Sequence, residues 1–153
     1  SRRQRLDVVV NILSNLAYHK REITVFGGSQ LRPNIHILDM VKAYDYLLNS
    51  SSEKISGKIF NAGYENQSVI ELAETVKDVV GKDVNLIIVP TNDNRSYHIS
   101  SEKIKKELGF KPEHSIREAS EDLINAFEKG LIPNSLKDPK YFNIKMMQKN
   151  PIS

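Results

Sequence analysis

The sequence of 153 residues contains no cysteine. Disulfide bonds, thiolate metal sites and a cysteine nucleophile are therefore excluded. No apolar run approaches the roughly 20 residues that are needed to cross a bilayer. The opening stretch Ser1–Arg5 also lacks the apolar segment of a signal peptide. We expect a cytoplasmic protein without a membrane partner. Because the chain opens inside a basic run without a methionine, we also expect a piece of a longer protein.

The sequence has little excess charge of either sign. Its 22 basic and 19 acidic residues give a formal net charge of +3, and 39% of the residues are hydrophobic. This composition is typical of one globular domain. Basic residues cluster at Arg2, Arg3 and Arg5 and again at Lys103, Lys105 and Lys106. This mild positive charge favours an anionic small molecule as the partner. We do not expect a nucleic acid as the partner. A nucleic-acid binder that uses the N-terminal arginines stays as an alternative.

Most signatures of catalysis are missing as well. Gly27 and Gly28 lack the third glycine of a dinucleotide-binding fingerprint, and a strand pattern follows them instead of a helix. There is no Walker-type phosphate loop and no serine nucleophile elbow. The histidines do not have the spacing of metal ligands: His19, His36, His98 and His114. We therefore expect neither a metal site nor a catalytic residue from these motifs.

Tyr141 and Lys145 have the spacing Tyr-x-x-x-Lys. On a helix, this spacing would put the phenol and the ammonium on one face, where the cation would lower the pKa of the phenol. However, Pro139 directly precedes the pair, and no serine or cofactor motif accompanies it. We interpret Tyr141 as a packing residue beside a surface lysine.

Helices are predicted from an apolar period of 3.6 residues and from capping signals. The first begins at Asp7 and turns Ser14 and Asn15 away from its apolar face. Two others begin with Ser-x-x-Glu capping boxes at Ser68 and Ser115. A short helix follows Ser101.

Strands are predicted at residues 22–26, 35–38, 58–61 and 84–89. The last is almost continuously apolar, which is typical of a strand that is covered on both faces. Helices and strands alternate without a repeat, so the fold class is α/β or α+β with one small sheet. Residues 131–153 are apolar but irregular and predict a tail that packs on another surface.

The stretch 27–39 is the strongest local candidate for ligand binding. Its two glycines permit positive φ angles and leave room beside the main chain. Arg32 and Pro33 follow, and Asp39 is predicted to cap the next helix. An arginine that is presented by a turn can hold a phosphate through two parallel hydrogen bonds. The alternative is a surface loop with an ordinary solvated arginine.

Six stretches follow one another at compatible distances: Arg5–Asn11, Ile23–Gly28, Arg32–Asp39, Ile59–Gly63, Arg95–Tyr97 and Lys103–Phe110. As a set they resemble the C-terminal part of extended short-chain dehydrogenase/reductases, the NAD-dependent nucleotide-sugar epimerases and dehydratases of the UDP-glucose 4-epimerase type. The resemblance covers residues 1–130 and, more loosely, the tail at 131–153. It implies a small mixed-sheet α/β substrate-binding domain with helices, the C-terminal half of an extended Rossmann-type enzyme.

The resemblance also implies roles for individual residues in substrate binding. Arg32 matches the arginine that holds the nucleotide diphosphate, and Arg95 matches a second phosphate-binding arginine. Thr24 and Phe26 match the strand that lies against the nucleotide base. Three further positions are implied near the diphosphate or the cleft: Arg5, Leu6 and Asn61.

In that family the cofactor loop and the catalytic residues precede the region that is matched here. The resemblance therefore implies that NAD binds the parent enzyme and not this fragment, and that the fragment is inactive alone. The implied partners are a UDP- or dTDP-linked sugar, the N-terminal cofactor domain of the same enzyme and a second copy in a homodimer. The helix after Asp39 and residues 60–61 would pack on that cofactor domain. The alternative is a stand-alone binding or interaction module that derives from the same domain.

Overall fold

The computed structural model describes residues 3–92 and 95–149. Its helices are α1 (Val9–Lys20), α2 (Ile37–Leu48), α3 (Ser52–Ile55), α4 (Val69–Val80), α5 (Glu102–Leu108), α6 (Ile116–Glu128) and α7 (Asn143–Lys149), with a 3-10 turn at Pro139–Tyr141. Its strands are β1 (Glu22–Phe26), β2 (Leu31–Asn34), β3 (Glu65–Ser68) and β4 (Asn85–Val89).

The predicted mixed α/β class is confirmed. Arg2 of the predicted basic cluster and the last residues of the predicted tail, 150–153, lie outside the described residues.

The strands of the described residues form two separate two-stranded sheets instead of one. β1 pairs in parallel with β4, so that Glu22 lies opposite Asn85. β2 pairs antiparallel with β3, so that Leu31 lies opposite Ser68. The chain leaves the first sheet at Gly27, whose φ of +77° turns the backbone away from the direction of β1.

The main core lies between β1 and the helices α1, α4 and α6. Its buried members are Val10, Leu13, Ala17, Ile23, Val25, Leu72, Ala73, Val76, Val84 and Ile116. Each large aliphatic side chain that is fully buried contributes about 1.5–3 kcal/mol of transfer free energy. Packing on this core therefore stabilises α1 despite the low helix propensity of its valines.

Helix α1 begins at Val9 and not at Asp7, and two of its polar residues are buried. The hydroxyls of Ser14 and Ser120 are 3.1 Å apart. Asn15 donates to the carbonyl oxygen of Ser135 at 3.2 Å and accepts from the Ser135 hydroxyl at 2.6 Å. The sequence pattern places these residues off the apolar face of α1. They are nevertheless buried, because α1 is enclosed by α4, α6 and the segment around Ser135.

Both predicted capping boxes are confirmed. In each, the serine hydroxyl accepts from the backbone N–H three residues later, and the glutamate there accepts from the N–H of the serine. The Ser68 hydroxyl and backbone N–H both donate to Glu71 and hold the pKa of that carboxyl below its ordinary value. α4 and α6 thus begin at residues that local sequence chemistry determines.

Helix α2 begins at Ile37 and is capped by His36, whose Nδ1 accepts from the N–H of Leu38. The predicted strand at 35–38 and the predicted cap at Asp39 were therefore wrong. Asp39 lies in the first turn and is fully buried. Its carboxylate accepts from the N–H of Glu113 at 3.0 Å and from the N–H of His114 at 2.9 Å. This carboxylate connects α2 with the segment that enters α6.

Two other strand predictions need correction. Residues 58–61 do not form a strand, and Ile59 is 82% exposed. β4 exists, but it is not covered on both faces, since Ile88 is 61% exposed. The short strand β3 was not predicted because its residues, Glu65–Ser68, are polar. Pairing with β2 decides its conformation.

The segment after α6 packs against the beginning of the chain. Tyr141 is buried with Leu6, Leu123 and Phe127, and the N–H of Leu6 donates to the carbonyl of Tyr141 at 2.9 Å. Within residues 3–92 and 95–149, none of the helices is both long and apolar enough to cross a membrane.

Asp39→Ala is expected to lower the free energy of unfolding by about 1–3 kcal/mol, because the N–H groups of Glu113 and His114 would lose their acceptor. Urea unfolding at pH 7 measures this difference. The control is Asp45→Ala on the exposed side of the same helix, for which we expect a change within about 0.5 kcal/mol. Equal effects of both substitutions would contradict the anchoring role of Asp39.

Asp7 contributes a pH-dependent part of the stability. Its carboxylate accepts from Arg5 Nε at 2.7 Å and from the N–H of Asn143 at 2.8 Å. Although burial acts to raise the pKa of Asp7, these bonds outweigh it and lower the pKa below its ordinary value of 3.8. The stabilisation is present above that value and is lost as the pH falls through the folded-state pKa.

We therefore expect Asp7→Asn to cost about 1 kcal/mol at pH 7, as for other hydrogen bonds to charged groups that are partly exposed. The difference from the unsubstituted chain should close below pH 3.8, the ordinary pKa of the carboxyl. Urea unfolding across this range is the measurement, with the exposed ion-pair variant Asp78→Asn as the control. A difference that does not depend on pH would refute the assignment.

Candidate functional site

A cavity of about 440 Å³ opens between α1 and β1. One wall is the stripe of α1 formed by Val9, Ile12, Leu13 and Leu16, and the facing wall consists of Glu22, Thr24 and Phe26 from β1. The rest of the lining is Lys20, Gln30, Arg32, Val69 and Thr91. The three β1 side chains share a face because successive strand residues alternate between the two faces. The cavity therefore combines an apolar helix wall with a strand wall of two polar side chains and one aromatic side chain.

The turn after β1 is closed by a side chain that the sequence analysis did not single out. Gln30 accepts from the N–H of Gly28 at 2.7 Å and donates to the carbonyl of Phe26 at 3.1 Å. The first turn of α4 joins the same network, since the N–H of Ile70 donates to the carbonyl of Gly28 at 2.9 Å. These bonds fix where β2 begins. In the sequence, Gln30 is marked only as a polar residue that comes soon after two glycines.

Gly27 suits its surroundings as well as its φ of +77°. A Cβ at this position would lie 2.5 Å from Gln30 Nε2 and 2.5 Å from Thr91 Cγ2. Because Cβ atoms do not approach other atoms so closely, these side chains would have to move. The glycine therefore lets the turn pack against Gln30 and Thr91, in addition to permitting the left-handed conformation.

Arg32 lies within β2 and lines the cavity. Its Nη1 donates to the carbonyl of Leu31 at 2.9 Å and to the carbonyl of Arg95 at 2.5 Å. The guanidinium carbon lies 5.4 Å from the centre of the Tyr97 ring. Arg32 thus lies at the cavity, but a strand presents it instead of the predicted turn. Its role in phosphate binding stays a prediction.

The segment 95–101 runs beside β2 and β3 and brings Arg95 next to Arg32. The N–H of Leu31 donates to the Ser96 hydroxyl at 2.9 Å. Asn66 exchanges two hydrogen bonds with the backbone of Ile99, at 3.0 and 2.9 Å. The predicted second phosphate-binding role of Arg95 stays a prediction, and this segment is what places it at the site.

The seven candidate binding residues do not all meet. Thr24, Phe26 and Arg32 line one cavity, and Arg95 contacts Arg32 through its carbonyl. The other three are not among the residues lining the cavity: Arg5, Leu6 and Asn61. The Arg5 guanidinium is paired with Asp7, the Leu6 side chain is fully buried, and Asn61 is exposed. Their predicted roles stay predictions.

Tyr141 and Lys145 are not arranged as a catalytic pair. The Tyr141 hydroxyl donates to the carbonyl of Pro133 at 3.1 Å, and Lys145 Nζ lies 4.2 Å from the centre of the Phe142 ring. The two residues lie on different elements, the 3-10 turn and α7. In the described part of the chain, no group of three or more His, Asp or Glu side chains has the geometry of a metal site.

Residues 2–63 match the model of the NAD dependent epimerase/dehydratase family. This match covers less than half of the chain. Together with the mixed α/β fold, it shows that the chain is similar to the NAD-dependent epimerases and dehydratases.

Within this class, UDP-glucose 4-epimerases are among the relatives. The enzyme of Corynebacterium glutamicum is 35% identical over 107 residues, which is 63% of this chain and 32% of that protein. The UDP-glucose 4-epimerase structure from Thermotoga maritima is 24% identical and superposes with a TM-score of 0.70. The superposition covers 81% of this chain and 40% of the Thermotoga maritima chain. The UDP-N-acetylglucosamine 4-epimerase of Bacillus cereus gives a TM-score of 0.69 at 25% identity over 82% of this chain and 44% of that one. The chain thus spans about a third of the length of the curated relatives that it matches.

Gly27→Ala is expected to cost more stability than Gly57→Ala, although both glycines have similar positive φ angles of +77° and +70°. Each substitution incurs the strain of a left-handed alanine, about 1–2 kcal/mol. Only at Gly27 would the new Cβ also collide with neighbours; among the described residues no atom lies within 4 Å of a Cβ at Gly57. Urea unfolding of both variants measures the difference. Equal losses would show that Gln30 and Thr91 move aside without cost.

Proposed function

We propose that this chain is the nucleotide-sugar-binding part, the C-terminal half, of an NAD-dependent epimerase or dehydratase. The observation that carries the proposal is the common cavity of Thr24, Phe26 and Arg32. The family resemblance assigns these residues to the nucleotide, and the fold brings them to one site. Residues 1–130 would form the binding body, and the segment from 131 would be its tail.

The walls of the cavity suit the two ends of a nucleotide. The α1 stripe of Val9, Ile12 and Leu16 offers an aliphatic surface for a flat base. Arg32 supplies the positive charge that a diphosphate needs, and guanidinium–phosphate hydrogen bonds are among the strongest in proteins. A volume of about 440 Å³ lies within the range of small-molecule sites. The base would lie between α1 and β1, and the diphosphate would extend toward Arg32 and Arg95.

UDP-linked sugars are the proposed substrate class, with dTDP-linked sugars as the alternative. The curated relative with 35% identity is a UDP-glucose 4-epimerase, and the Thermotoga maritima structure contains UDP-glucose. Binding the nucleotide end would orient the sugar for the reaction, and such positioning can lower a barrier by several kcal/mol.

We place NAD in the parent enzyme and outside this chain. The Gly27–Gly28 turn does not fit a dinucleotide loop, because Gln30 fills it and β2, not a helix, follows. NAD would supply hydride transfer at the sugar. The residues described here would bind and orient the substrate only, and we expect this chain alone to be inactive.

The exposed apolar face of α2 is the proposed contact with the cofactor domain. Its members are Ile37, Leu38, Val41, Tyr44 and Leu48, each more than half exposed. Ile59, in the region that was predicted as a strand, is also exposed. An apolar surface of this kind marks an interface. The predicted homodimer and the cytoplasmic location remain part of the proposal.

Arg32→Ala is expected to weaken UDP binding by about 1.5–3 kcal/mol, the range for hydrogen bonds to charged groups. Isothermal titration calorimetry of the 153-residue chain with UDP measures the effect. Uridine, which lacks the phosphates, should bind the variant and the unsubstituted chain equally.

The matched control is Arg117→Ala on α6, which removes an arginine that is paired with Asp78 outside the cavity. UDP affinity should be unchanged in this variant. The proposal fails if the chain does not bind UDP, or if Arg32→Ala and Arg117→Ala have the same effect.

A further inference from the structure

Tyr97 contacts the guanidinium that the proposed function uses. Its ring centre lies 5.4 Å from Arg32 Cζ, within the range of a cation–π interaction. The ring is 55% exposed. It is not part of the core clusters of the described residues. Packing of the interior therefore does not account for an aromatic residue at this position.

We infer that Tyr97 is a positioning residue for nucleotide binding, which holds the Arg32 guanidinium in the orientation that receives the diphosphate. The inference rests on the proposed function. Tyr97 itself would not touch the nucleotide and would act through Arg32.

The geometry of a guanidinium permits this role. A cation–π contact depends on the charge of the guanidinium and on the face of the ring, and it uses no hydrogen-bond acceptor. The contact with Tyr97 therefore does not compete with hydrogen bonds from the N–H donors to phosphate oxygens. It also restricts a side chain that carries about 2 kcal/mol of rotamer entropy when it is unrestrained.

The backbone fixes the ring relative to Arg32. The N–H of Leu31, the residue before Arg32, donates to the Ser96 hydroxyl at 2.9 Å. The N–H of Tyr97 lies 3.4 Å from the carbonyl oxygen of Leu31. Leu31 thus holds the segment that carries the ring, and the carbonyl of Arg95 in the same segment accepts from Arg32 Nη1. The hydrogen bonds from Nη1 to the carbonyls of Leu31 and Arg95 and the contact with the ring thus all restrict the orientation of the guanidinium.

The test is calorimetric titration of the 153-residue chain with UDP and, separately, with uridine. Tyr97→Ala should weaken UDP binding by about three- to tenfold, as expected for the loss of one partly exposed cation–π contact. Tyr97→Phe keeps the ring and should bind UDP within about twofold of the unsubstituted chain. Uridine affinity should be unchanged in both variants. The matched control is Tyr64→Ala, a tyrosine that is 49% exposed and does not line the cavity, which should leave UDP binding unchanged.

The double variant Arg32→Ala/Tyr97→Ala separates action through Arg32 from a general structural effect. If Tyr97 acts through Arg32, the double variant binds UDP no more weakly than Arg32→Ala alone. The inference is overturned if the two losses add, if Tyr97→Ala weakens uridine as much as UDP, or if Tyr97→Phe loses as much as Tyr97→Ala.

The two proposals fail in different ways. If Arg32→Ala weakens UDP binding and Tyr97→Ala does not, only the role of Tyr97 is overturned. If Arg32→Ala leaves UDP binding unchanged, or if the chain does not bind UDP, the proposed function and the role of Tyr97 are overturned together.

Discussion

The left-handed turn at Gly27 and Gly28 is the constraint on which the site depends. It carries the chain out of the β1–β4 sheet and into β2, where Arg32 lies. Gln30 and the first turn of α4 hold this turn through hydrogen bonds to its backbone. The bond from the N–H of Ile70 uses a donor at the beginning of α4 that has no partner inside that helix. One local conformation therefore connects the two sheets, begins a core helix and places the arginine beside the cavity.

Helix α1 has two roles that compete for its surface. Val10, Leu13 and Ala17 are buried in the core, and the cavity is lined by Val9, Ile12, Leu13 and Leu16, of which Val9 and Ile12 also pack against the core. Such a helix is apolar over more than one stripe, and neither stripe can become polar without loss of packing or of an apolar binding wall. Its stability comes from contacts with α4 and α6 and not from helix propensity. The cavity wall and the core are thus parts of one helix.

The elements that were predicted well depend on neighbouring residues, and those that were missed depend on distant ones. The boxes at Ser68 and Ser115 cap α4 and α6 as expected, because the partners are three residues apart. Asp39 looked like another cap, yet its carboxylate binds N–H groups more than 70 residues along the chain. Likewise, β3 is polar and becomes a strand only through its pairing with β2.

The sequence by itself determined the α/β class, the helix starts with capping boxes and the strand at 22–26, and it singled out Arg32 as a candidate binding residue. These features depend on short-range periodicity, on capping between neighbouring residues and on motifs that can be recognised in the sequence alone. Only the tertiary structure decided that Thr24, Phe26 and Arg32 share a cavity, whose lining does not include Arg5, Leu6 and Asn61. It also decided that Gln30 holds the turn before β2 and that Tyr97 contacts Arg32. The physical reason is that β1 and β2 belong to different sheets, so their relative placement depends on long-range packing that no local pattern encodes.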